Sequence, residues 1–113
     1  YELRDQFGIV PVDWKDKENY AADLLVNSTP LGMSGNLQTH TPFEGSLEGF
    51  KYVYDLIYNP VQTELLRRAE ATGKCVAVSG LHMFIYQALE QFRIWTGQSF
   101  AAKEAENKLR QYL

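Results

Sequence analysis

The sequence predicts an α/β fold: a parallel β-sheet with helices packed on it. Three observations carry that reading. Twice within thirty residues an apolar strand runs into a polar turn and then a helix, first at Tyr52–Tyr58 and again before Ser79-Gly80. That alternation is the rhythm of strand–helix–strand units with parallel strands. The stretch Lys51–Tyr58 has bulky side chains on both faces (Tyr52, Tyr54, Leu56 against Val53, Ile57), as a strand covered on both sides requires. A third apolar run, Asp23–Val26, also ends in a polar turn, Asn27–Met33. Ligands of such sheets bind at the carboxyl ends of the strands, so three successive strand ends are candidate binding turns.

Taken in order, Tyr1–Phe7 reads as the end of a helix stopped by Gly8. The chain is therefore expected to be a segment of a longer protein. Ile9–Val12 is a short apolar run that can form a strand, with Pro11 suited to an edge. Asp13 can cap a short helix over Trp14–Ala21. Asp23–Val26 reads as a buried strand. Asn27–Gly49 is a polar loop with four Gly and two Pro, long enough to suggest a functional role. Thr63 can cap a helix to Thr72 that turns Leu65, Leu66 and Ala69 inward and stops at Gly73. Cys75–Val78 is the next strand. Gly80–Thr96 keeps Leu81, Phe84, Ile85, Ala88, Phe92 and Trp95 at helical spacing before Gly97. Phe100–Tyr112 is a last, charged helix anchored by Leu109 and Leu113.

Composition narrows the function. With 113 residues the chain is one domain or less, and 45% hydrophobic content can fill a core. A net charge of −3 and scattered basic residues give no electrostatic case for nucleic acid. Arg67-Arg68 reads as a solvated helix face, as do Lys103, Glu104, Glu106 and Lys108. No apolar run approaches the ~18–20 residues of a membrane helix, so no membrane role is expected and cytoplasm is the default location. Cys75 is the single cysteine and reads as a buried, inert thiol. One Cys and two separated histidines, His40 and His82, cannot build a metal centre.

The strand-end turns hold the candidate site. Asn27, Ser28 and Thr29 offer an amide, two hydroxyls and backbone N–H groups that can reach the ribose and phosphate oxygens of a dinucleotide. The same residues are also ordinary turn formers. Tyr58 ends its strand with a phenol that can donate to a small polar substrate, or can simply leave its tip in water. Asp55 lies inside the strand and reads as structural rather than as a catalytic acid. Gly80, without a side chain, lets a flat ring approach the backbone, or serves only as a turn. Met83 can lie against such a ring, and Gln87 follows it at i+4 on one helix face. A glutamine on that face makes sense if its amide binds a hydroxyl or carboxylate.

Asn-Ser-Thr-Pro-Leu-Gly-Met at 27–33, Tyr-Asp-Leu-Ile-Tyr-Asn-Pro at 54–60 and Gly-Leu-His-Met-Phe-Ile-Tyr-Gln-Ala at 80–88 resemble, in order and spacing, the shikimate and quinate/shikimate dehydrogenases. The resemblance covers about residues 20–113. It implies the C-terminal half of a Rossmann-like NAD(P)-binding domain. It implies NADP-dependent, reversible reduction of 3-dehydroshikimate to shikimate, a step toward aromatic amino acids. Tyr58 and Gln87 then match substrate-binding residues. Leu56 matches a cofactor contact, and Asn27, Ser28, Thr29, Gly80 and Met83 flank the cofactor. The family's catalytic Lys and Asp lie in a substrate domain that no segment here matches. A Gly-x-Gly-x-x-Gly phosphate turn is also absent from this sequence. NAD remains open beside NADP, quinate beside shikimate, and a homodimer beside a monomer. Within enzymes the rival is a related dehydrogenase of a different small hydroxy acid; a non-catalytic half-domain acting as a binding module is the rival of a different class.

Overall fold

A computed structural model describes residues 2–113. In chain order these form α1 (Glu2–Phe7), a 3₁₀ turn (Trp14–Asn19), β1 (Leu24–Asn27) and β2 (Tyr52–Asp55). Then follow α2 (Glu64–Thr72), β3 (Val76–Ser79), α3 (Leu81–Thr96) and α4 (Ala102–Leu109). The expected helix end at Tyr1–Phe7 is seen over Glu2–Phe7, and Tyr1 lies outside the described residues. The three strands make one parallel sheet in the order β1-β2-β3. Their register places Leu25, Val53 and Ala77 in one row and Asn27, Asp55 and Ser79 in the row at the carboxyl edge.

One face of the sheet is covered. Val53 on β2 packs with Leu65, Leu66 and Ala69 of α2, all essentially buried. Thr63 caps α2 by accepting the Leu66 N–H, and Gly73 ends it at φ 64°, the left-handed region that favours glycine. The rest of this core comes from an unexpected source. Phe43, Leu47 and Phe50 sit in the long segment between β1 and β2, yet they are buried in the same cluster. Phe43 and Phe50 meet edge to face at 5.4 Å. Arg68 fastens that segment, donating to the carbonyls of Phe43, Glu44 and Gly45. It is therefore not part of the solvated face expected of the Arg67-Arg68 pair, whereas Arg67 pairs outward with Glu64 at 2.6 Å. Glu106 also departs from the expected solvated face, being drawn between Lys103 and Arg110.

The opposite face is open. Leu24, Tyr52 and Val76 form one row on it, about half exposed, and Val26, Tyr54 and Val78 form the next. The expectation that β2 is covered on both faces is thus not met among the described residues, because α2 packs on one side only. β2 is also shorter than Lys51–Tyr58. The Asp55 side chain takes the Ile57 N–H at 3.0 Å, so that amide leaves the strand ladder. Asn59-Pro60 beyond it is a cis peptide. Ile9–Val12 forms no strand, and the segment after Asp13 is a 3₁₀ turn that Asp13 does not cap with its side chain. On α3, Leu81 and Ile85 are buried and Phe84, Ala88 and Phe92 half-buried. Trp95, expected in the same stripe, is 78% exposed. Phe92 instead meets Phe100 at 4.6 Å, joining α3 to α4. Leu113 lies past the end of α4.

Candidate functional site

The carboxyl edge of the sheet is built around Asp55. This carboxylate is fully buried and accepts three hydrogen bonds: from Asn27 Nδ2 at 3.1 Å, the Ile57 amide at 3.0 Å and Thr63 Oγ1 at 2.7 Å. It ties β1, β2 and the start of α2 to one point. Burial pushes its pKa up from the ordinary carboxylate value, and the bonds from Thr63, Ile57 and Asn27 pull the other way. Among the described residues, no buried side-chain polar atom lacks a partner.

Asn27 is the second member of this network, and its side chain is fully used. Its Nδ2 donates to Asp55 and to the Leu31 carbonyl, and its Oδ1 accepts the Thr29 amide at 2.9 Å and the Thr29 hydroxyl at 2.7 Å. It is 2% exposed. The expectation that this amide reaches outward to a ribose is corrected: internal bonds occupy both of its ends. Its role is to shape the turn 28–31. Thr29 is half-committed too, accepting the Leu31 amide at 3.3 Å. Ser28 remains exposed.

Gly80 is also explained by packing. A Cβ built there would overlap the Leu56 carbonyl and lie 2.8 Å from the carbonyl oxygen of Asp55. Both are backbone groups that cannot step aside. Its φ of −68° is open to any residue, so close approach of α3 to the end of β2 is what demands glycine. Ser79 completes the junction, donating to the Val61 carbonyl and accepting the Leu81 amide.

Above this scaffold lies a groove of about 570 Å³, lined on one side by Ser28, Thr29, Pro30, Met33 and Ser34 and on the other by Leu56–Asn59. Its base is the Leu56 amide donating to the Asn27 carbonyl at 3.1 Å. Its mouth is closed by Ser34, which donates its amide to the Asn59 carbonyl at 2.9 Å and its hydroxyl to Asn59 Oδ1 at 3.0 Å. Tyr58 is 37% exposed in this groove, and its ring stacks on Phe84 with centroids 3.9 Å apart and planes 14° off parallel. Met83 and Gln87 stand exposed on α3, before and after Phe84 in the chain, and do not line the groove. The helix face that Met83 and Gln87 share is open to solvent.

The groove thus brings together Ser28, Thr29, Leu56 and Tyr58, while Asn27 and Gly80 lie beneath it and Met83 and Gln87 beside it. Sequence reasoning gave Ser34 and Asn59 no role as wall residues, and Met33 none beyond its place in the first candidate turn. The Ser34–Asn59 contact spans 25 positions, and neither residue carries a local signal of it. Among the described residues, no group of three His, Cys, Asp or Glu side chains could hold a metal ion, and no helix is long and apolar enough to cross a membrane.

Comparison with known proteins places the chain among relatives of one kind. The profile of the family described as "Shikimate 5'-dehydrogenase C-terminal domain" matches residues 80–110. A shikimate dehydrogenase (NADP(+)) from Maridesulfovibrio salexigens is 39% identical over 109 residues, which are 96% of this chain and 40% of that protein. The chain therefore spans about two-fifths of the length of the curated relatives it matches. Among solved structures, quinate dehydrogenase from Corynebacterium glutamicum in complex with NAD superposes with a TM-score of 0.80 at 33% identity. That match covers 96% of this chain and 40% of the other. Shikimate 5-dehydrogenase from Thermus thermophilus, in complex with NADP(H) and shikimate, superposes with a TM-score of 0.78 at 32% identity. It covers 99% of this chain and 41% of its counterpart. The sheet and its helices are Rossmann-like, and the likeness in sequence and in fold runs nearly the full length of the chain.

Proposed function

We propose that this chain, similar throughout to the C-terminal part of shikimate dehydrogenases, is the nicotinamide-binding side of an enzyme that interconverts 3-dehydroshikimate and shikimate with NADP. The observation that carries the reading is convergence. Segments 27–33, 54–60 and 80–88 are far apart in sequence, yet their strand ends share one register row at the carboxyl edge. That edge is where open α/β sheets bind ligands. The chain would act as part of a longer polypeptide, in the cytoplasm, with the acid–base Lys–Asp pair supplied by a separate substrate domain.

The residues present fit a nicotinamide at the groove. Ser28 and Thr29 offer a hydroxyl and a partly committed one at the rim. Leu56 offers a half-buried apolar wall, and Met83 a soft apolar side chain on the neighbouring helix. Asn27 and Gly80 contribute indirectly, by fixing the turn and the helix approach. The cofactor, when bound, would supply the hydride as NADPH in reduction of 3-dehydroshikimate and accept it as NADP+ in oxidation of shikimate. Tyr58 and Gln87 would hold the hydroxyls or carboxylate of the substrate and so fix its distance and angle, a proximity contribution to rate. Neither residue is placed here to move a proton.

In the full-length polypeptide, shikimate-dependent reduction of NADP is the expected activity. Gln87→Ala should lower kcat/KM for shikimate about tenfold or more, since losing one hydrogen bond and leaving its partner unpaired costs ~1–3 kcal/mol. The KM for cofactor should barely move. Full-length protein that turns over neither shikimate nor quinate would overturn the assignment. The likeness to the quinate dehydrogenase supports a second reading, in which quinate and NAD are preferred. The ratio of kcat/KM for the two acids decides between them.

A further inference from the structure

Tyr58 and Phe84 form a near-parallel stack that joins the end of β2 to the first turn of α3. Two features of this stack are unequal. Phe84 is half-buried and sits between Leu81 and Ile85, both buried, so its ring belongs to the fixed part of the helix. Tyr58 is exposed, follows the last ladder residue by three positions, and has no hydrogen-bond partner for its hydroxyl among the described residues. Nothing polar therefore orients the phenol. The Phe84 face restrains both the rotamer and the ring plane of Tyr58; the rotamer decides where the hydroxyl oxygen sits in the groove, and the ring plane decides where its O–H points.

We infer that Phe84 is the positioning residue for Tyr58, holding the phenol in the orientation that meets substrate. The inference rests on the proposed function and adds to it a residue that touches neither substrate nor cofactor. Exposed aromatic side chains otherwise rotate on a nanosecond scale, and a substrate hydrogen bond to a freely rotating phenol must first select one orientation. Stacking removes that selection beforehand. It also links the two groups of candidate substrate residues, since Gln87 lies one turn beyond Phe84 on α3.

The test is a double-mutant cycle in the full-length enzyme, with KM for shikimate and for NADP measured separately. Phe84→Leu keeps apolar volume but removes the flat face. It should raise the KM for shikimate about two- to tenfold, the range an aromatic pair supports, with the KM for NADP unchanged. Phe84→Tyr restores a flat face and should return the value to near wild type. In a Tyr58→Phe background, Phe84→Leu should have no further effect on shikimate, because the hydroxyl that it positions is gone. A structural role predicts otherwise: a lowered Tm, with equal losses for both ligands whether or not the hydroxyl is present. Upfield-shifted Tyr58 ring protons in the wild type, lost in Phe84→Leu, give a readout independent of turnover. An unchanged shikimate KM in Phe84→Leu, or additivity in the cycle, overturns the positioning role alone. Absence of wild-type turnover overturns the functional reading beneath it.

Discussion

Asp55 shows how one side chain can hold the carboxyl edge of a sheet together. Three donors converge on it from β1, β2 and the cap of α2. Asp55→Ala would strand the Asn27 amide, the Thr63 hydroxyl and the Ile57 N–H, and should cost about 3–5 kcal/mol in urea unfolding. The same carboxyl makes stability depend on pH. Its pKa is raised in the fold, so the native state holds the proton at pH values where the unfolded chain has lost it. Its contribution is therefore greatest in acid and falls as pH rises from the ordinary carboxylate value of 3.8 through the raised one. Comparing wild type with Asp55→Asn should show this fall in the wild type only; parallel curves would count against it. Gly80→Ala should lower Tm strongly, because the new Cβ meets backbone oxygen. A variant with intact Tm and only a raised cofactor KM would mean that the Leu56 carbonyl moves.

At the scale of elements, the groove is a turn and a strand end joined by Ser34 and Asn59. The side-chain bond between them is exposed, so water competes for it and its net worth is small. Ser34→Ala should leave Tm within about a degree while loosening the groove mouth, read as faster proteolysis at 31–36. Loss of several degrees would make the clasp structural. The elements differ in how legible they were. α2 could be read in full, because Thr63, Leu65, Leu66, Ala69 and Gly73 encode its cap, face and stop within a single short stretch. The 43–50 segment looked like polar loop, since Gly45, Ser46 and Gly49 interrupt it even though Phe43, Leu47 and Phe50 keep i, i+4, i+7 spacing; no helix forms there, and the three fill a core through contacts with distant α2. Of the candidate site, the strand-end positions were readable from the strand–turn–helix rhythm. Which polar groups face inward was not, because Asn27 and Asp55 find each other 28 residues apart through strand register.

On the scale of the whole molecule, the sheet is covered on one side and open on the other. Leu24, Val26, Tyr52, Val76 and Val78 leave apolar surface in water, and β1 and β3 are both edge strands. Expressed alone, this chain should self-associate and, if the proposed function holds, show no dehydrogenase activity, since its sequence has no Gly-x-Gly-x-x-Gly turn and the acid–base Lys is proposed to come from a separate domain. Val26→Lys should reduce association in analytical ultracentrifugation by placing charge on the open face. Monomeric behaviour of the wild-type chain would show that the face tolerates water. Parallel pairing has one more consequence. Each edge strand turns alternate amides away from its single neighbour, whereas β2 has a strand on either side. Hydrogen–deuterium exchange should therefore alternate along β1 and β3, one amide slow and the next fast, and fall to a uniformly slow rate across β2. The isotope pattern would sort the three strands by position before any ligand is added.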